Sequence, residues 1–260
     1  MDSSAHLTPT HSHRGRWLAL IAALAVFALG VHGPITQWAG YHQFADVRPW
    51  GLLPHAANVL SNLPFAVVGV WALWRLANQP GMLAWRLFAA AITLTAIGSS
   101  VYHWQPDNVG LVIDRLPIAW ACATLLCAFL AERVDTRWAN ARSLVLAVLV
   151  SSLAVAWWAV GEAHGQGDLR PYVFVQFLPM LLIPAALVMN MQAVSPRALP
   201  TSAWWAALAL YGLAKALEAA DHTVLEALGF ISGHSLKHLL AAGTAGWLLR
   251  AAVLSCGNRR

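Results

Sequence analysis

The chain has 260 residues, of which 59% are hydrophobic and only 10% are charged, with a formal net charge of +5. A soluble domain carries about 25% charged residues, so this composition excludes an ordinary soluble protein and points to an integral membrane protein. Nucleic-acid binding is also excluded, because there are only two lysines and no basic run interleaved with aromatics.

A membrane-spanning helix needs about 20 mostly apolar residues. Eight stretches qualify in chain order: 17–35, 54–75, 84–103, 109–131, 143–161, 172–191, 202–219 and 233–254. Residues 1–16, with His6, His11 and His13, read as a solvated cytoplasmic tail. Residues 17–35 follow Arg14 and Arg16 as a signal peptide would. No clear small-x-small cleavage site comes after them, so they are expected to stay as an extra N-terminal transmembrane helix. Residues 36–255 are expected to form one helical domain, joined by short polar segments such as "RLANQPGMLAWR", "AERVDTRWANAR" and "GEAHGQGDLRP". The predicted fold is thus an all-α, multi-pass helical bundle. Cys122, Cys127 and Cys256 have no CxxC spacing; the first two lie within an apolar stretch and read as small buried hydrophobes.

The loops set the orientation. With the N-terminus inside, the inner segments hold Arg14, Arg16, Arg75, Arg86, Arg133, Arg137, Arg142, Arg197, Arg250, Arg259 and Arg260, while the outer loops hold only Arg48 and Arg170. This asymmetry predicts an even number of spans with both ends cytoplasmic, and it also accounts for the basic pI of about 9.6.

Ionisable residues within spans are costly and mark functional sites. Here they cluster toward the outer face. The second span starts "HAANVLSN", the third ends "AIGSSVYHW", the fourth starts "NVGLVIDRLPIAW", the seventh ends "LAKALEAADH" and the eighth starts "GHSLKH". The inner halves are expected to be almost purely apolar. His234 and His238 are four apart and share one helix face, as do Ser99 and His103. A histidine pair at this spacing is able to share a metal ion. Asp114 follows a short turn with Pro106 and Gly110, so a third histidine, a hydroxyl and a carboxylate can meet the His234/His238 pair. His32, His42, His55, His164 and His222 read as interfacial hydrogen-bonders, and Asn58 and Asn62 as interhelical ones. Lys237 is expected off the histidine face, snorkelling to the interface or pairing with Glu218.

The ordered set "SNLPF", "GSSVYH", "DRLP" and "GHSLKH" resembles the alkaline ceramidase family. That family belongs to a wider group of seven-helix membrane hydrolases that includes the adiponectin and progestin receptors. The pattern is SN, then SxxxH, then D-x-L-P fifteen residues after that serine, then HxxxH near the C-terminus. The resemblance covers about residues 55–255 and implies a seven-helix hydrolase core, here with one extra N-terminal span. It implies a zinc ion on His103, His234 and His238, Asp114 as general base and Ser99 as a donor to the bound solvent or the oxyanion. The substrate would be a ceramide-like N-acyl lipid drawn from the bilayer. The family's calcium site is not expected, because "FADVRPWGLLPHAANVLSN" offers only Asp46, with His55 where a carboxylate would stand, and calcium takes six or more oxygens. The implied setting is a bacterial inner membrane with the site toward the non-cytoplasmic side. The competing class is a non-hydrolytic, metal-binding receptor or transporter on the same bundle. A transporter would place polar groups on both membrane halves, and a receptor would have no need of Asp114 beside a metal.

Overall fold

The computed structural model describes residues 9–257, with side chains from Gly15 onward. The rest of the expected tail, including His6 and the side chains of His11, His13 and Arg14, lies outside the described residues, as do Arg259 and Arg260.

The described residues contain helices and no sheet. The helices are α1 (Pro9–His32), α2 (Ala56–Leu60), α3 (Leu63–Leu76), α4 (Leu83–Trp104), α5 (Asn108–Arg133), α6 (Ala141–Ala163), α7 (Arg170–Val188), α8 (Thr201–Ala219), α9 (Asp221–Leu228) and α10 (Gly233–Gly257). α1 starts at Pro9 rather than at residue 17. The expected tail therefore continues the helix, and a proline is well tolerated in a first turn. The second span is broken at Ser61–Asn62 into α2 and α3, and α9 is a short helix that the apolar pattern does not reveal.

Seven spans, counting α2 and α3 as one, are long and apolar enough to cross a membrane, which makes this a multi-pass membrane protein. The remaining expected span, the seventh in chain order, is the 19-residue α8, which is not among them. Its Lys215, Glu218, Tyr211 and two tryptophans reduce its apolar character.

Packing follows a ring. α4 packs on α3 and α5, α5 on α7, α10 on α3 and α8, and α7 touches α8. α6 packs on α5 and α7. α1 packs on α7 and leaves most of its apolar residues exposed.

Short connections make successive long helices antiparallel, so the loops gather at two ends. At the end that carries most of the loop arginines, Glu132 and Arg133 are buried. Glu132 accepts bonds from Leu199 N–H at 2.9 Å and Trp85 Nε1 at 3.3 Å. Arg133 donates to the carbonyls of Met191 at 3.2 Å and Leu199 at 2.7 Å. This corrects the expectation of a purely apolar inner half, because α5 runs past residue 131 and carries both charges under the α7–α8 loop.

At the opposite end, residues 33–55 lie across the bundle. Leu169 N–H donates to Ile35 O at 2.8 Å, and Ala45 N–H donates to Asp221 Oδ2 at 2.9 Å. Arg48 reaches the carbonyls of Gly229 and Phe230 at 2.9 and 3.0 Å. Exposed tryptophans mark both ends, with Trp38, Trp50 and Trp104 at this one and Trp17, Trp74 and Trp138 at the other. Such aromatic belts occur at membrane–water boundaries.

Candidate metal centre

Two local devices bring α4 and α5 together at the site. Asp107 caps α5, accepting Gly110 N–H at 2.6 Å. One turn past Asp114, Pro117 lies inside the helix. A proline has no N–H for the carbonyl four residues back, so Ile113 O lacks its helical partner. Gly98 lies directly against that carbonyl: a Cβ on Gly98 would sit 2.4 Å from Ile113 O and 3.3 Å from Asp114 Cα. Only glycine permits this approach, which sets Ser99 against Asp114. Both side chains line the same cavity, and Asp114 Oδ1 is buried there without a hydrogen-bond partner.

α10 enters the site in a similar way. Ser232 caps it by accepting Ser235 N–H at 3.2 Å, and Asp221 Oδ1 accepts His234 N–H at 2.7 Å. A Cβ on Gly233 would meet Leu217 O at 2.1 Å, so glycine again allows the close contact, here between α10 and α8.

His103, His234 and His238 are all buried, and one ring nitrogen from each lies within 4.8 Å of the others. The ring centroids form a triangle with sides of 4.9, 4.9 and 4.7 Å, the planes steeply inclined to each other. His103 Nε2 and His234 Nε2 are 3.2 Å apart. Two lone pairs facing each other at that distance need a proton or a cation between them. Two imidazoles on one tetrahedral ion, each about 2.0–2.1 Å from it, would place their nitrogens about 3.3 Å apart. The three side chains can therefore hold a metal ion.

The third histidine is oriented from behind. Ser61 Oγ lies 2.8 Å from His238 Nδ1 and 3.0 Å from Asn58 O. The serine has one proton, and only the carbonyl must receive it. His238 Nδ1–H therefore donates to Ser61, leaving the Nε2 lone pair free for a metal. This is the usual support for a ligating histidine. The break at Ser61–Asn62 makes it possible by turning the serine toward α10. Asn58 and Asn62 are hydrogen-bonders, as expected: Asn58 Oδ1 accepts Ser235 Oγ at 2.7 Å, and Asn62 Nδ2 donates to Asn58 O at 2.9 Å.

The other histidines behave as the sequence suggests where bonds are formed. His42 bonds Tyr102 Oη and Asn108 Oδ1 at 2.9 and 3.0 Å, His55 bonds His103 O at 2.8 Å, and His164 bonds Val160 O at 2.8 Å. Asp46 is committed to Arg48 by two bonds of 2.7 and 2.8 Å, and Arg48 holds its carboxyl below the usual range.

Lys237 corrects the expectation that it points away from the histidines. It does pair with Glu218, at 2.9 Å, but its Nζ also lies 3.1 Å from His234 Nε2. Residues three apart on a helix are neighbours, and a lysine stem is long enough to bring its ammonium back to the histidine one turn earlier. Phe44 from the 33–55 segment, with no signal in the sequence, covers the site with its ring 4.6 Å from both His103 and His234.

Ser99, Asp114 and the three histidines share one cavity of about 370 Å³. From His234 the wall follows α10 down to Leu248, and from Glu218 it follows α8 down to Trp204. At about 1.5 Å per residue, each of these runs is roughly 20 Å long. Below the polar groups the wall is largely apolar, with Phe65, Phe88, Ile92, Leu125, Met180 and Ile183. At the far end Trp204 packs edge-on against Phe129 at 4.9 Å and beside Trp85 at 6.0 Å.

No protein-family model matches the chain, and no curated protein matches it either.

Proposed function

We propose that the protein is a zinc-dependent membrane amidohydrolase that cleaves the amide bond of ceramide-like N-acyl lipids, giving a fatty acid and a sphingoid base or related amine. The observation that carries this reading is the meeting of three histidines with Ser99 and Asp114 at the polar end of a long apolar cavity. An acyl chain suits the apolar run, and the amide then falls at the histidines. On this reading α8 also spans the membrane, so that a seven-helix core is flanked by α1.

A zinc ion held by His103, His234 and His238 would supply a Lewis acid and lower the pKa of water to about 7. Asp114, with one carboxylate oxygen unpartnered, takes the proton from the attacking water and returns it to the leaving amine as the C–N bond breaks. The Ser99 hydroxyl shares the cavity with that carboxylate and donates to the oxyanion during attack. Phe44 and the 33–55 segment limit water at the reacting end.

The test is release of free fatty acid from a ceramide in detergent micelles, with zinc content measured for each variant. Asp114→Asn should keep its zinc and lose about 100-fold or more in turnover. Ser99→Ala should lose less. Parent-level turnover in Asp114→Asn with a dead Ser99→Ala would make the serine a nucleophile and refute this mechanism. If zinc-replete parent protein hydrolyses no N-acyl lipid, the non-hydrolytic receptor or transporter becomes the better reading.

A further inference from the structure

The polar end of the cavity carries more positive than negative charge. Its wall includes Arg115, Lys215 and Lys237 against Asp114 and Glu218. Both lysines of the chain converge on one carboxylate: Lys237 donates to Glu218 Oε1 at 2.9 Å, and Lys215 donates to Glu218 Oε2. One lysine would be enough to neutralise Glu218. Arg115, next to Asp114 in the chain, is only 3% exposed and makes no ion pair among the described residues. It bonds Gln37 Oε1 at 2.5 Å and stacks over Trp158 at 4.0 Å and Tyr172 at 5.0 Å.

Ionisable groups within spans are costly and are kept for a use. An unmatched positive charge in a cavity of low polarity is stabilised by an anion and gains nothing from a neutral head group. A ceramide presents only hydroxyls there.

We infer that the substrate's polar end is anionic, with a carboxylate beside the scissile amide as in an N-acyl amino acid, and that Lys215 and Lys237 bind it. This rests on the amidohydrolase reading, keeps its N-acyl amide and replaces the neutral ceramide head group with an anionic one. The position of Lys237 limits where the charge lies. Its ammonium has three donors; Glu218 takes one, and another points at His234 Nε2. That second bond cannot persist once the Nε2 lone pair is given to a metal, so a donor is freed beside the reacting centre. The group it binds must lie within a few bonds of the amide, where an α-carboxylate sits. A phosphate at the end of a longer head group would lie beyond it.

The test compares N-lauroylglycine, N-lauroylethanolamine and N-lauroylphosphoethanolamine, which share an acyl chain but carry a carboxylate, a hydroxyl and a phosphate. Binding to full-length Asp114→Asn protein is followed by tryptophan fluorescence in neutral detergent, and hydrolysis is followed with the parent protein. The carboxylate amide should bind at least tenfold tighter than the neutral one, with a matching preference in kcat/KM. Lys215→Gln and Lys237→Gln should each pull the binding ratio toward one. Equal binding of neutral and anionic amides, or a ratio that both lysine variants leave intact, overturns the inference. Preference for phosphate over carboxylate overturns the α-carboxylate assignment. A lysine-dependent preference for the carboxylate with no hydrolysis of any amide would sink the amidohydrolase reading while leaving the anionic subsite standing.

Discussion

Ser61 is the most informative single position for testing the candidate metal site, because it touches a ligand candidate, His238, through a hydrogen bond. It accepts from His238 Nδ1 at 2.8 Å and donates to Asn58 O at 3.0 Å. Both Ser61 and His238 are buried, so Ser61→Ala leaves the Nδ1–H with no acceptor and no water. A buried donor without a partner costs about 1–3 kcal/mol. Loss of the partner behind a metal-bound histidine typically costs about 10–100-fold in affinity, which is about 1.4–2.8 kcal/mol. The two routes agree on the size of the effect. The alanine variant also allows the imidazole proton to move to Nε2, where it would block the lone pair.

The assay is zinc affinity by chelator competition in detergent, with helicity checked by circular dichroism. Ser61→Ala should be folded and bind zinc about 10–100-fold more weakly, and Ser61→Thr should recover most of that loss. If Ser61→Ala binds zinc as tightly as the parent, the hydrogen bond does not orient a ligand. If Thr and Ala weaken binding equally, the effect is one of packing.

Two further outcomes are expected. Gly98→Val places a side chain where a Cβ alone would meet Ile113 O at 2.4 Å; forcing α4 from α5 should cost about 1–3 kcal/mol, seen as a lower Tm in detergent, and an unchanged Tm would show that the close contact is not needed. Reporter fusions at Arg260 and in the 104–108 loop should fall on opposite sides of the membrane, as the arginine bias requires, and the same side for both would refute the eight-span reading.

Much of the site was legible because helical periodicity is written in a single chain. His234 with His238 and Ser99 with His103 are four apart, so each pair shares a face whatever the tertiary packing. The short 104–108 turn forces Asp114 back beside Ser99. What stayed hidden depends on which helices are neighbours. Ser61 supports His238 only because the second span breaks at Asn62 and its first half packs on α10, and apolar periodicity does not register a single-turn break. Phe44 reaches the site from a segment with no regular structure, and burial of Glu132 and Arg133 depends on the α7–α8 loop folding over them. Gly98 and Pro117 were in view as letters of "GSSVYH" and "DRLP". Their joint use, a freed carbonyl met by a residue without a Cβ, appears only when α4 and α5 are seen in contact.

α8 shows how a site can blur the very pattern used to find a span. No stretch of it is as apolar as those of the seven helical segments suited to crossing a membrane. The shortfall is not spread evenly. Trp204, Ala207, Leu208, Tyr211, Lys215 and Glu218 recur at three- and four-residue steps, and all of them line the cavity. The charged pair sits at the end of that stripe nearest the histidines, where it meets Lys237 across the interface with α10. A window average counts these charges against membrane insertion, although their heads turn toward the bundle interior and not to lipid, the arrangement by which ionisable residues are tolerated in spans. The helix that falls short as a span is thus one that brings two of the five charged groups to the cavity beside the three histidines, and its polar residues are a mark of the site itself.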